Sequence, residues 1–184
     1  RYLGRERRFY GPLMFGMVLL AGYQYGVTAW AIAFFMRTYG WSTAQIGLLH
    51  GLSFIVVATA ASWFGGWCCN RLVAAGRRDA TMVVPLVAGV VALPLTLAMT
   101  LAGDARISAV LLVLQTFVGT ISFGPGMSTY QLYAPNHMRA QLTALHSLFS
   151  TLVGGGFGPW LTAWFTVRVY GDPQALPQAM AWSA

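Results

Sequence analysis

The side chains with which this chain could do chemistry are few: two adjacent cysteines, Cys68 and Cys69, three histidines, and scattered amides, phenols and indoles in apolar sequence. A zinc site needs ligands that converge, with cysteines commonly two residues apart. Cys68 and Cys69 are neighbours without a second pair, and His50 stands near the far end of the same apolar stretch. They read as reduced thiols at a helix end, not as a metal or redox centre. The stretch "GGWCCNRLVAAGRRD" (Gly65 to Asp79) also lacks the Lys-Ser/Thr that closes a phosphate-binding loop. An enzyme would want paired polar catalysts such as His with Asp or Glu. No Asp, Glu, Lys or Arg interrupts the long apolar stretches, so no such pair is supplied, and no cofactor is implied.

What remains is a set of uncharged polar groups embedded in apolar sequence. Gln24 and Thr28 are four residues apart and share one helical face; Tyr23 and Trp30, seven apart, share another. Tyr130 and Gln131 sit together near the end of a later stretch. His50 and His146 are lone histidines, read as hydrogen-bond partners within a bundle before proton sites. Inside a membrane span such groups are candidates for function.

The elements that must position them follow from composition. The chain of 184 residues is 57% hydrophobic and only 8% charged, against about 25% charged in a soluble domain. Its mean hydropathy is +0.62. Charges are confined to short places, leaving residues 9–36, 38–70, 80–103, 107–138 and 140–167 uncharged. Each is long enough for the roughly 20 apolar residues of a membrane helix. The expected spans are about 12–36, 44–69, 81–101, 107–133 and 142–167, with a sixth beginning near 175 in "ALPQAMAWSA". The expected fold class is therefore all-α, a polytopic membrane bundle, and the chain reads as a fragment of a longer one.

Net charge is +7, carried by 11 arginines and no lysine. No basic patch interleaved with aromatics is present, so nucleic acid is not the expected partner. With five spans, alternate loops share a side. Arg1, Arg5, Arg7, Arg8, Arg71, Arg77, Arg78 and Arg139 fall on one side, and Arg37, Arg106 and Arg168 on the other. The excess marks the first side as cytoplasmic.

Small residues mark where helices can approach closely. One stripe runs through Gly47, Gly51, Ala58, Ser62 and Gly66, and another through Ser147, Thr151, Gly154, Gly155 and Gly158. "FGPGM" puts Gly124, Pro125 and Gly126 inside the fourth span. Pro125 has no amide hydrogen, so the Ile121 carbonyl loses its helical partner and a break, or hinge, is expected there. Ser42 or Thr43 can cap the second helix.

Two motifs carry a family resemblance. Gly66, Asn70, Arg71, Gly76, Arg77 and Arg78 resemble the signature loop of the major facilitator superfamily, in its weaker second copy between spans eight and nine. "FGPGMSTYQLYAPNHMRAQLTALHSLFSTLVGGGFGPW" resembles spans ten and eleven, most like the spinster-like branch, and "YGVTAWAIAFFMRTYGWSTAQIGLLHG" is similar to spans seven and eight. The resemblance implies the C-terminal half of a twelve-span secondary transporter, with a lipid bilayer, the N-terminal half and a small anionic or amphipathic solute as partners. If transport is coupled to protons, the carboxylates lie in the other half. A non-transporting scaffold or sensor of the same fold is the alternative. The resemblance implies substrate contacts at Tyr23, Gln24, Thr28, Trp30, Tyr130 and Gln131, with interhelical hydrogen bonds or gating as their other readings. It further implies gating by Arg71, Arg77, Arg78 and Arg139, and a location in the inner (plasma) membrane.

Overall fold

The structure, a computed structural model, describes residues 7–169 and residue 180; Arg1, Arg5 and most of the expected sixth span lie outside the described residues. The first span is α1 (Arg7–Tyr39). The second is α2 (Thr43–Leu52), a π-helical stretch (Ser53–Ala58) and α3 (Thr59–Ala74). The third is α4 (Ala80–Leu101). The fourth is α5 (Ala105–Ile121) and α6 (Phe123–Tyr133). The fifth segment is α7 (Arg139–Phe149), a π-helical stretch (Ser150–Gly154), α8 (Gly155–Trp164) and a second π-helical stretch (Phe165–Val169).

The first four are long and apolar enough to cross a membrane. The fifth is not among those four, because glycines and hydroxyls from Ser147 to Gly158 dilute its apolar character. Local chemistry sets the ends. Ser42 caps α2 in a reciprocal box: its Oγ accepts from the Gln45 amide at 3.3 Å, and Gln45 Oε1 accepts from the Ser42 amide at 2.9 Å. Asp104 caps α5 by accepting from the amides of Arg106 and Ile107.

Lipid is as apolar as leucine, so close backbone packing, not burial from water, must hold such helices together. Glycines supply it. Cβ atoms added at Gly22 and Gly26 would stand 3.4 Å from Gly154 Cα and 3.3 Å from the Gly158 carbonyl oxygen, and one at Gly158 would overlap Gly22 O. The first and fifth segments thus meet backbone to backbone. Gly155, on the flank of this contact, makes ordinary contact with the Tyr25 ring at 3.9 Å.

The second span packs by a different stripe from the one its spacing suggests. Its buried small residues are Ser53, Ala58, Ala61, Gly65 and Cys69. The step from Ser53 to Ala58 is five residues because the π-helical stretch adds one residue to that turn. Beyond it the buried face runs through Ala61, Gly65 and Cys69, so Gly65, not Gly66, is at the contact. A Cβ at Gly47, Gly51 or Gly66 would meet nothing within 4 Å among the described residues.

Two buried clusters close the ends of the bundle. Phe34, Phe35, Ile46, Met99 and Leu112 pack at one end. Tyr10, Tyr130, Ala134 and Leu142 pack at the other, the arginine-rich end. Large side chains such as Trp63 (74% exposed) and Ile55 (70%) point outward, as a lipid-facing surface requires.

Candidate functional site

A cavity of about 220 Å³ lies between the first, third, fourth and fifth helical segments. Tyr23 and Gln24 enter its wall from α1, Gly119 and Ser122 from the fourth span, and His146 and Ser150 from the fifth. Among the described residues, charged side chains are absent from that lining.

Tyr23 is the hub of one side. Its hydroxyl donates to the Ala92 carbonyl at 2.9 Å, lies 2.5 Å from Thr96 Oγ1 and accepts from Gln115 Nε2 at 2.6 Å. A phenol oxygen can donate once and accept twice, so with Thr96 as a donor all three contacts are made together. Three spans are tied through one oxygen.

Gln24 is bound differently. Its Oε1 is buried without a hydrogen-bond partner, and its amide lies flat over Gly119. Ser122, one turn beyond Gly119, is 4% exposed, and its Oγ is also buried and unpartnered. Ser122 is where the fourth span breaks. The helix stops at Ile121 and resumes at Phe123, one turn before Pro125, and the Gly126 amide donates to the Ser122 carbonyl at 3.0 Å. Proline's ring crowds the carbonyl four residues earlier, which places the bend before the proline itself. Gly124 faces open space, whereas a Cβ at Gly126 would overlap the end of Met17.

The third polar group is Tyr130 with His146. Tyr130 is fully buried, and its hydroxyl lies 3.2 Å from His146 Nδ1; Ser150 Oγ is 3.3 Å from Nε2. Tyr130 thus supports the cavity from behind His146. Gln131 is exposed and outside the lining. Thr28 is half-buried and also outside it, and Trp30 donates from Nε1 to the Pro159 carbonyl at 2.9 Å, holding the fifth segment to the first.

The four arginines gather, exposed, at one end. Arg71 lies 5.1 Å from the Trp67 ring centroid, Arg77 pairs with Asp79 at 3.3 Å, and Arg139 Nε donates to the Ala134 carbonyl at 3.2 Å. The Arg78 carbonyl accepts from the Tyr133 hydroxyl at 2.9 Å, tying the loop to the fourth span. The hydrogen bond from Arg77 holds the Asp79 carboxyl below its usual range.

Gln115, Thr96, Ser122 and Ser150 are site residues that single-position reading misses. A repeat could have pointed to the last. "AQIGLLHGL" from Ala44 and "AQLTALHSL" from Ala140 share Ala-Gln, an aliphatic residue, Leu-His and Leu at the same spacing, 96 residues apart. The second and fifth segments run in opposite directions, which is the relation expected of inverted repeats. His50 is then the counterpart of His146, Phe34 of Tyr130 and Phe54 of Ser150. Both hydroxyl partners of His146 are phenyl rings in the first repeat. Accordingly His50 stacks edge-on to Phe54 at 5.1 Å, and both its ring nitrogens are buried without a partner.

No protein-family profile matches the chain. An MFS-type efflux pump of Mycolicibacterium smegmatis is 25% identical over 169 residues, covering 90% of this chain and 38% of the pump. The fold matches a crystal structure of a bacterial homologue of the human lysosomal transporter Spinster, inward-facing and occupied. There the TM-score is 0.78 and the identity 18%, over 100% of this chain and 47% of that one. The inward-facing, unoccupied form matches with a TM-score of 0.75 and 19% identity, over 98% and 43%. The chain has the fold of that transporter over its described residues, with four helices long and apolar enough to cross a membrane. It spans less than half the length of the relatives it matches.

Proposed function

We propose that these residues form the C-terminal half of a secondary active transporter that moves a small amphipathic organic solute by alternating access. The observation that carries this reading is the cavity between four segments, with Gln24 and Ser122 in its wall and their buried oxygens without hydrogen-bond partners. A packed scaffold has no use for buried polar groups left unsatisfied, each costing about 1–3 kcal/mol. The efflux pump of M. smegmatis supports the same reading. The arginine-rich end faces the cytoplasm of a bacterial inner membrane, and Arg71, Arg77, Arg78 and Arg139 exchange partners between states. The bend at Ser122 lets α6 swing. Proteoliposomes containing the full-length protein should carry amphipathic dyes such as Nile red in a saturable way, and residues 1–184 alone should not. Binding of dye without flux by the full-length protein would favour a sensor of the same fold.

A further inference from the structure

We propose that Gln24, Gly119 and Ser122 form a seat for an uncharged head group that both donates and accepts hydrogen bonds, such as a carboxamide, so that this half of the site selects against anions and cations. The proposal rests on the transporter reading of the cavity and goes beyond it by naming the chemical class.

Three observations meet at the seat. The Gln24 amide makes no hydrogen bond among the described residues, and its Oε1 is fully covered. Gly119 makes room for it: a Cβ there would stand 2.7 Å from both Cδ and Nε2 of Gln24 and closer still to Oε1. Ser122, one turn further along the same face, adds a hydroxyl that is 4% exposed and unpartnered. A primary amide offers two donors and an acceptor, and a hydroxyl offers one donor and two acceptor positions. Both covered oxygens reach a ligand by rotation of their side chains toward the cavity, and a ligand that complements them presents both kinds of group.

Charge decides against the other classes. Among the described residues, the cavity lining contains no Asp, Glu, Lys or Arg. The imidazole in the wall among the described residues, His146, has its nitrogens against Tyr130 and Ser150. An ionic head group placed here would give up its water without a counter-ion, which costs far more than leaving a neutral group unpaired. A site built to hydrogen-bond a particular group also rejects analogues that cannot satisfy it.

The test is equilibrium binding to the full-length protein in lipid nanodiscs, using three probes with one apolar body: para-hexylbenzamide, para-hexylbenzoate and para-hexylbenzylammonium. The amide should bind at least about tenfold more tightly than either ion. Gln24→Leu and Gly119→Ala should each weaken amide binding by about tenfold and leave the two ions unchanged; the second variant displaces the amide by a single methyl. Ser122→Ala should weaken it by roughly threefold. Melting temperatures identify any variant that fails to fold, and Gly119→Ala and Gln24→Leu each serve as the check on the other. Equal or tighter binding of benzoate or benzylammonium, no binding of any probe, or unchanged amide binding in folded variants would overturn the proposal. Counterflow of the amide in proteoliposomes is scored separately: binding without counterflow removes the transporter reading and leaves the seat standing.

Discussion

Gly65 of the second span sits against the carbonyl of Ile121, the group that Pro125 deprives of its helical partner. A Cβ at Gly65 would lie 2.5 Å from that oxygen. The contact is a backbone approach that no other residue type allows, and it lies next to the bend at Ser122. Gly65→Ala should therefore push the second and fourth spans apart and cost about 1–3 kcal/mol, the usual range for overpacking. Gly66→Ala, one residue on, meets open space and should be neutral or slightly stabilising, since alanine is the better helix former. Thermal melting of the two full-length variants in the same detergent checks the pair. Equal melting of the two variants would show that the close approach at Gly65 does not hold the two spans together.

Tyr23→Phe removes one oxygen and leaves Gln115 Nε2 and Thr96 Oγ1 without their shared partner. The cost of stranding such groups is about 1–3 kcal/mol. Gln115→Leu in the same background should recover part of it, because it removes an amide that has lost its bond. A double-mutant cycle on melting free energies reads this directly, and additive losses would mean the three-span hub is not coupled.

Much of the fold was legible because charge is so rare: each interruption of the apolar sequence lies in a loop or in the end turns of a helix, and helices follow from length. The small-residue stripe named Gly154 and Gly158, which do meet the first span backbone to backbone, but not their partners Gly22 and Gly26. The second-span stripe was not legible: Cβ atoms at Gly47 and Gly51, before the π-helical turn at Ser53–Ala58, and at Gly66, after it, would all meet nothing within 4 Å among the described residues, and spacing alone does not say which small residues face a neighbouring helix. At the site, a lone amide in apolar sequence pointed to Gln24. Trp30 and Gln131 look equivalent by the same rule, yet one is bonded to Pro159 and the other is exposed. Only tertiary packing separates them. Gln115 lies on the same kind of face as Gln24 but reaches Tyr23, a partner 92 residues away in sequence.

The orphaned His50 makes a prediction from the repeat. Phe54→Ser would place a hydroxyl four residues after His50, as Ser150 stands four residues after His146. Phe54 is 44% exposed, so little packing is lost. The variant should be more stable than Phe54→Ala by about 0.5–1.5 kcal/mol, the net value of one hydrogen bond. Identical melting of the two variants would remove the correspondence between the two histidines.

Topology follows from the arginines. With Cys68 and Cys69 replaced, single cysteines at Ser42, Gly76 and Asp104 should report sidedness to a membrane-impermeant thiol reagent. In intact cells Ser42→Cys and Asp104→Cys should react, and Gly76→Cys should react only after the membrane is opened. Labelling of Gly76→Cys alone would invert the orientation.

The claim that the cavity is the path of the solute is tested most directly at Ser147, an exposed residue in its wall. In the full-length protein without its native cysteines, Ser147→Cys should be modified by a small methanethiosulfonate reagent, and dye flux in proteoliposomes should then stop. The transported dye, present in excess, should slow that modification. Leu148→Cys, which points away from the cavity and is 53% exposed, should be modified without effect. Full flux after complete modification at Ser147→Cys, with no protection by the dye, would contradict the account.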